Sequence, residues 1–437
     1  MRTFRIGGIH PPDNKLSAGR TIQMLPLPET VIIPLDQHIG APASAVVAKG
    51  DRVKVGTLIG KAEGFVSANI HASVSGTVTK VDSMLDGFGF SHPAVFIKTE
   101  GDEWEAGIDI SETLSKDCSY SPAEIIQKID AAGLVGMGGA GFPTKTKLTP
   151  RPGEKVEVLI INAVECEPYL TADHALMLEK GEEILVGVTL FMKALHVNRA
   201  IIGIEANKPD AIALLAGLSS GYQGIEVVAL QTHYPQGGEK QLIDALLRHQ
   251  VQSGKFPMSI GVLVQNVATA FAVYEAVMKN KPLIERVVTV TGKNVVKPSN
   301  FLARIGTPVS ALIDATGGLP ENTCKIINGG PMMGKAMIHT GAPVTKGCCG
   351  VLLMTKEESR RLTMHDCIRC AKCVEACPMG LEPYLLMNLT EHKMWEATTK
   401  NHIKDCIECG ACNYICPANR PLLDYIRLGK ATVMKNK

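Results

Sequence analysis

Eight of the thirteen cysteines lie between Cys367 and Cys416, in a single spacing written twice. Cys367, Cys370, Cys373 and Cys377-Pro378 recur 39 residues later as Cys406, Cys409, Cys412 and Cys416-Pro417. Three thiolates at steps of three in a tight loop reach three irons of one cubane. The fourth, just before a proline that turns the chain away, reaches the other cluster. The spacing therefore predicts one 4Fe–4S cluster on Cys367, Cys370, Cys373 and Cys416, and a second on Cys406, Cys409, Cys412 and Cys377. Two structural zinc sites are the competing reading, because paired C-x2-C motifs bind zinc. A zinc knuckle has no need of the third close cysteine, the C-x3-C-P step and the repeat together. Small residues inside the loops (Ala371, Ala376, Gly410, Ala411) suit close approach of backbone to sulfur. A disulfide framework does not fit a chain of 437 residues with 45% apolar side chains, which has core enough without staples. Cys118, Cys166, Cys324, Cys348 and Cys349 lack this logic and are expected to be reduced packing thiols.

A tail that carries single electrons needs a source or sink. The candidate is Gly133-Leu-Val-Gly136-Met-Gly138-Gly139-Ala-Gly141-Phe-Pro143-Thr-Lys145-Thr-Lys147, with five glycines in its first nine residues. The spacing is not G-x-G-x-x-G, and the run follows a predicted helix rather than a strand. It can nonetheless bring backbone N–H groups against phosphate, with Lys145 or Lys147 adding charge. The balance of 45 basic to 43 acidic residues excludes bulk electrostatic binding to nucleic acid or anionic lipid. The N-terminus lacks the apolar core of a signal peptide, and Ser259–Met278 is broken by Gln265, Asn266 and Glu275, which reads as a strand followed by a helix. The chain is expected to be soluble and to reach a membrane only through partners.

The expected architecture is multidomain α/β. After an N-terminal segment (1–29), residues 30–105 alternate short Val/Ile runs with turn glycines and resemble the barrel-sandwich fold of biotinyl and lipoyl carrier domains. The position of the carrier lysine is Phe65, so a scaffold is expected rather than a carrier. Residues 115–284 alternate helices and strands, beginning at the Ser121 cap with Pro122 behind it, which favours a parallel sheet covered on both faces. Residues 285–355 return to β character, and 356–437 are helical around the cysteine loops.

The cysteine tail has the spacing of a two-cluster ferredoxin. The run Gly136 to Thr144, followed by Asn162-Ala-Val-Glu165-Cys-Glu167-Pro168, resembles the NADH- and FMN-binding subunit of respiratory complex I. Taken with Gly7-Gly8-Ile9-His10-Pro11 and Asn328-Gly-Gly-Pro331-Met332-Met-Gly334, the whole chain resembles the RnfC (RsxC) family, the NADH-interacting component of the membrane-bound Rnf electron transport complex. The resemblance implies a glycine loop (Gly136, Gly138, Gly139, Gly141) with Lys147 around the FMN phosphate, and Asn162, Glu165 and Asn266 near the flavin. It implies Glu167 at the nicotinamide nucleotide, and Tyr234, Gly238 and Glu239 in the segment matching Tyr-x-x-Gly-Glu-Glu. There an inserted residue and Lys240 depart from the pattern. Residues 285–355 resemble the β-grasp (SLBB-like) module of that family, to which no chemistry is assigned beyond positioning. The implied cofactors are FMN and two 4Fe–4S clusters, with NAD(H) as substrate. The implied partners are a ferredoxin-like cluster subunit, integral membrane subunits that move the coupled ion, and ferredoxin indirectly. The implied place is the cytoplasmic face of the bacterial cell membrane, bound peripherally. A soluble corrin reductase of a microcompartment, sharing the loop and clusters, and a cluster-bearing adaptor without catalysis stay open as alternatives.

Overall fold

The computed structural model describes residues 1–151 and 153–435. Two small antiparallel sheets build the barrel-sandwich, one ordered Thr30–Pro34, Ser91–Gly101, Ser75–Leu85, Arg52–Val53, the other Ser44–Ala45, Leu58–Lys61, Ile70–His71. Alternate residues Val31 and Ile33 face Val95 and Ile97 in its core, all without solvent exposure, as the period of two along a strand requires. Phe65, at the tip where a carrier lysine would stand, is exposed, and its carbonyl accepts from Thr146 Oγ1 at 2.8 Å.

The next module opens on the helix Pro122–Ala131, capped by Ser121 in a reciprocal box with Glu124. Its sheet is parallel throughout and ordered Ile225–Leu230, Ala200–Glu205, Val158–Asn162, Val262–Asn266. Leu159 and Ile161 pack toward the helices Gly181–Leu195 and Val267–Met278, whereas Ile160 and Ile201 pack toward Glu239–Leu247. Both faces are thus covered, which explains the near-continuous apolar runs of these strands. The chain steps outward twice from Val158–Asn162, then returns to pair on its other side, so the strand order reverses there.

A six-stranded mixed sheet follows, centred on Glu285–Thr291, Ser299–Arg304 and Gly350–Thr355. Its outer strand is Ile22–Met24, laid parallel to Ser299–Arg304. The N-terminal segment is therefore woven into a module almost three hundred residues later in the chain. In the tail, Arg369 and Ala371 adopt left-handed backbone, and so do Glu408 and Gly410 at the matching positions of the second cysteine motif. The sequence repeat is a conformational repeat. Leu386, Met387, Ile403, Leu422 and Ile426 close the core of this tail.

Candidate electron-transfer site

The glycine run is a loop pinched shut at its base and open at its tip. Val135 bridges Pro143, and Gly136 N–H donates to the Phe142 carbonyl at 2.8 Å. Met137 N–H donates to Thr269 Oγ1 at 2.9 Å, which ties the loop to the helix after the last parallel strand. Gly138 lies against Asn266, where an added Cβ would come 3.4 Å from the Asn266 Cβ. Gly139, at a φ of +105°, has nothing within 4 Å of that position, so this side of the loop is open. Among the described residues, no acceptor stands in hydrogen-bond geometry to the amides of Gly138 or Gly139.

Asn162 and Asn266 are register partners at the carboxyl ends of neighbouring parallel strands, beside the reversal of strand order. That is where open α/β sheets place their ligands. Asn162 Nδ2 donates to the Gly237 carbonyl at 2.8 Å. Asn266 caps the helix behind it through the Ala268 amide, and its Nδ2 donates to Asp173 at 2.8 Å. Glu165, itself in left-handed backbone, turns back to accept from the amides of Asp173 and His174 at 2.8 and 3.2 Å. Its carboxylate thereby caps the helix Ala172–Glu179. Burial and the neighbouring Glu165 charge push the Asp173 carboxyl up to about 7. Sequence reasoning missed Asp173, whose only signal was its place in the first turn of a helix. Lys147 reaches Glu239 and the Val264 carbonyl, both at 3.0 Å, while Lys145 is paired with Asp130 at 2.6 Å. Gly238 begins the helix Glu239–Leu247.

Glu167 and Tyr234 face another way. The Glu167 carboxylate accepts from the amides of Met332 and Met333 at 3.1 and 2.7 Å, in the loop that the Asn328-Gly-Gly-Pro motif builds. Burial pushes this carboxyl up to about 7. Tyr234 Oη lies 3.4 Å from Glu167 and donates to the carbonyl of Cys409 at 2.7 Å. One buried hydroxyl thus ties the crevice module to a cysteine motif 175 residues away. Gln241 Nε2 makes a second tie, to the Pro378 carbonyl at 3.0 Å. The N-terminal glycines make a third, since Gly8 N–H donates to Ala376 at 3.0 Å and Gly7 leaves no room for a Cβ against Cys377.

Cys377, Cys406, Cys409 and Cys412 together line a narrow apolar hollow walled by Pro378, Leu381, Leu386, Leu423 and Ile426. This is the crossed set that the spacing predicts. Burial pushes the Cys409 thiol up to about 12 and Cys412 higher still. Four thiols in an apolar hollow fit a group whose irons take the place of their protons. Of the other set, Cys373 feels the charges of Cys416 and Cys367, and Cys367 and Cys370 are exposed. One set is largely buried and tied to the crevice's module through Tyr234; two members of the other are exposed. Of the remaining cysteines, Cys348 is buried, and burial pushes Cys349 up to about 12.

A nucleotide crevice at the reversal of a parallel sheet, tied to paired cysteine loops, defines a flavin- and iron–sulfur-type electron-transfer protein. Four family descriptions match along the chain: RnfC barrel sandwich hybrid domain (3–102), Nuo51 FMN-binding domain (129–275), SLBB domain (287–336) and 4Fe-4S dicluster domain (360–417). The chain is 46% identical to the RnfC-type component of the proton-translocating ferredoxin:NAD(+) oxidoreductase complex of Clostridium ljungdahlii, over 99% of this chain and 94% of that one. It is 42% identical to the corresponding component of the Na(+)-translocating ferredoxin:NAD(+) oxidoreductase complex of Acetobacterium woodii, over 100% and 98%. The chain belongs to this RnfC family of complex subunits. In fold it is similar to NAD+-reducing NiFe hydrogenase in the H2-reduced state, with a TM-score of 0.50 and 19% identity over 72% of this chain and 63% of that one. Among the described residues no helix is long and apolar enough to cross a membrane.

Proposed function

We propose that this chain is the subunit that meets NAD(H) in a membrane-bound ferredoxin:NAD oxidoreductase complex, bound peripherally at the cytoplasmic face. Its partners are then a ferredoxin-like cluster subunit and the membrane subunits that move the coupled ion. A bound flavin supplies the conversion between a hydride's two electrons and the single electrons that a cluster takes. The open amides of Gly138 and Gly139, with Gly136, Gly141 and Lys147 behind them, are the phosphate end of the crevice. Asn162 and Asn266 stand over its floor as amide donors and acceptors fixed by strand register. Glu165 and Asp173 hold the wall that faces the sugar and ring. Cys377, Cys406, Cys409 and Cys412 hold the inner cluster and Cys367, Cys370, Cys373 and Cys416 the outer one. In this order electrons pass between the crevice and the exposed cysteine loop.

The observation that carries the reading is the Tyr234 hydroxyl on the Cys409 carbonyl, which ties the internal cysteine set to the module that builds the crevice. Anaerobic purification followed by flavin and iron analysis tests it. About eight irons and one flavin per chain, with NADH-dependent reduction of an artificial one-electron acceptor, are expected for two cubanes and a flavin. Eight irons without flavin, and no oxidation of NADH, would overturn the enzymatic part.

A further inference from the structure

Most buried cations in this fold answer to a carboxylate: Lys208 to Glu205 at 3.7 Å, Lys279 to Asp109 at 2.6 Å, Arg304 to Glu285 at 3.0 Å. Arg286 and Lys346, 3% and 1% exposed, do not. Among the described residues neither forms an ion pair, and both come from the module to which the sequence assigned no chemistry. The Lys346 ammonium donates to the carbonyls of Asn69 and Gly133 at 2.8 and 2.7 Å. Arg286 donates to the Lys346 carbonyl, to Val287 O at 3.4 Å and to Met137 O at 3.4 Å. The acid whose charge bears on Arg286 is Asp173, which already serves Asn266 and is pushed toward its neutral form. Around Lys346 stand His71, held neutral by burial, and the uncharged Gln37, and burial pulls Lys346 itself down to about 7, so that a nearby anion would hold its proton on.

Arg286, and Lys346 while it keeps its proton, thus sit without an ion pair on two carbonyls of the glycine loop's first arm, those of Met137 and Gly133. Leaving charge in a low-dielectric interior is costly unless something opposite comes near. The loop's geometry says from which side. In a trans peptide the C=O and N–H point in opposite directions. The Met137–Gly138 peptide turns its oxygen down to Arg286, so the Gly138 N–H points up into the open crevice. A Cβ added to Gly347, next to Lys346, would stand 3.7 Å from the Gly139 carbonyl oxygen. The cations orient the loop and add their field to the same opening.

We propose that Arg286 and Lys346 form the electropositive floor of the flavin site, matched in charge to the phosphate of the nucleotide on the glycine loop. This rests on the flavin reading above. They are positioning residues, not ligand contacts: Arg286 acts through the Met137–Gly138 peptide, and Lys346 holds the Gly133 carbonyl at the start of the loop. The β-grasp module then does more than hold modules apart. It supplies the charge that selects a flavin nucleotide over an uncharged flavin.

The test is equilibrium binding of FMN and of riboflavin, which lacks the phosphate, to the full-length chain stripped of flavin. Wild type should prefer FMN. Arg286→Gln and Lys346→Gln should each cut that preference by about tenfold, equal to about 1.4 kcal/mol. The loss should fall on FMN, with riboflavin affinity unmoved and the flavin-free melting temperature unchanged or raised. Arg286→Lys should restore part of the preference. An unchanged FMN-to-riboflavin ratio overturns the proposal, as does equal weakening of both ligands with a lower melting temperature. Wild type alone gives a test that needs no variant to fold: inorganic phosphate should raise its flavin-free melting temperature, and no response overturns the proposal. If wild type binds neither flavin, the flavin reading falls with it; if wild type binds FMN and the variants match it, only this proposal falls.

Discussion

Changing Tyr234 to phenylalanine keeps the ring, which is 2% exposed, and removes one oxygen. The Cys409 carbonyl then loses its donor at a place where water cannot enter. An abandoned buried acceptor costs about 1–3 kcal/mol. Glu167 loses little, since its 3.4 Å contact is long and the Met332 and Met333 amides still hold it. A central value of about 2 kcal/mol is a factor of about thirty in the equilibrium between docked and loosened tail. Two other ties, Gln241 to Pro378 and Gly8 to Ala376, keep the tail attached, so the chain still folds. Hydrogen exchange on the loop 406–412 should quicken by about that factor, with the strands of the parallel sheet unaffected. Rapid-mixing reduction of the inner cluster by NADH should slow while flavin content holds. Tyr169→Phe is the control, because that hydroxyl bonds Glu358 at 2.6 Å and has no part in the tie. If Tyr234→Phe leaves both exchange and reduction at wild-type values, the hydroxyl does not seat the cluster and the argument fails.

Gly7→Ala should destabilise the fold by about 2–4 kcal/mol in chemical denaturation, because its φ of +71° and a Cβ 2.5 Å from the Cys377 carbonyl carbon add strain to clash. Cys416→Ser should abolish the spectroscopic signature of the outer cluster with Cys367, Cys370 and Cys373 intact, and Cys377→Ser that of the inner one; pairing of each loss with its own loop would refute the crossed assignment. Burial raises Glu167, Asp173 and Glu205 to about 7 from ordinary values of 4.5, 3.8 and 4.5. Raised carboxyls stabilise the fold below their unfolded values and lose that contribution as pH rises through the folded ones. The flavin-free chain should therefore lose melting temperature between about pH 4.5 and 7, and Asp173→Asn should flatten the slope. Above about pH 7 the lowered Lys346, with its ordinary value of 10.5, works in the opposite direction.

What the sequence disclosed depended on the range of the interaction. The Ser121 cap, the strand–helix break at Asn266 and the cysteine spacing are decided within a few residues, and the structure has each where periodicity puts it. Glu165 was marked by resemblance as a flavin neighbour, but its helix-capping bond depends on a left-handed backbone turn that residue type does not announce. Tyr234 illustrates the limit: its hydroxyl chooses Cys409 across 175 residues, which only the packed modules determine. Arg286 reads as one polar residue in a Val-rich strand, and nothing in that strand says that its charge goes unanswered. The strand Ile22–Met24 pairs with one that has no local relation to it.

The ties at the N-terminus carry a consequence for how the protein is made. Gly7 and Gly8 rest on Ala376 and Cys377, about 370 residues further along the chain. Ile9 can meet Tyr234 only once half the chain exists. The segment can therefore settle on the parallel-sheet module first, through Arg2, Thr3, Arg5 and Ile9, and its glycines meet the cysteine loops only afterward. Because Gly7 packs directly on Cys377, the docking of this segment and the filling of the inner cysteine set should be coupled.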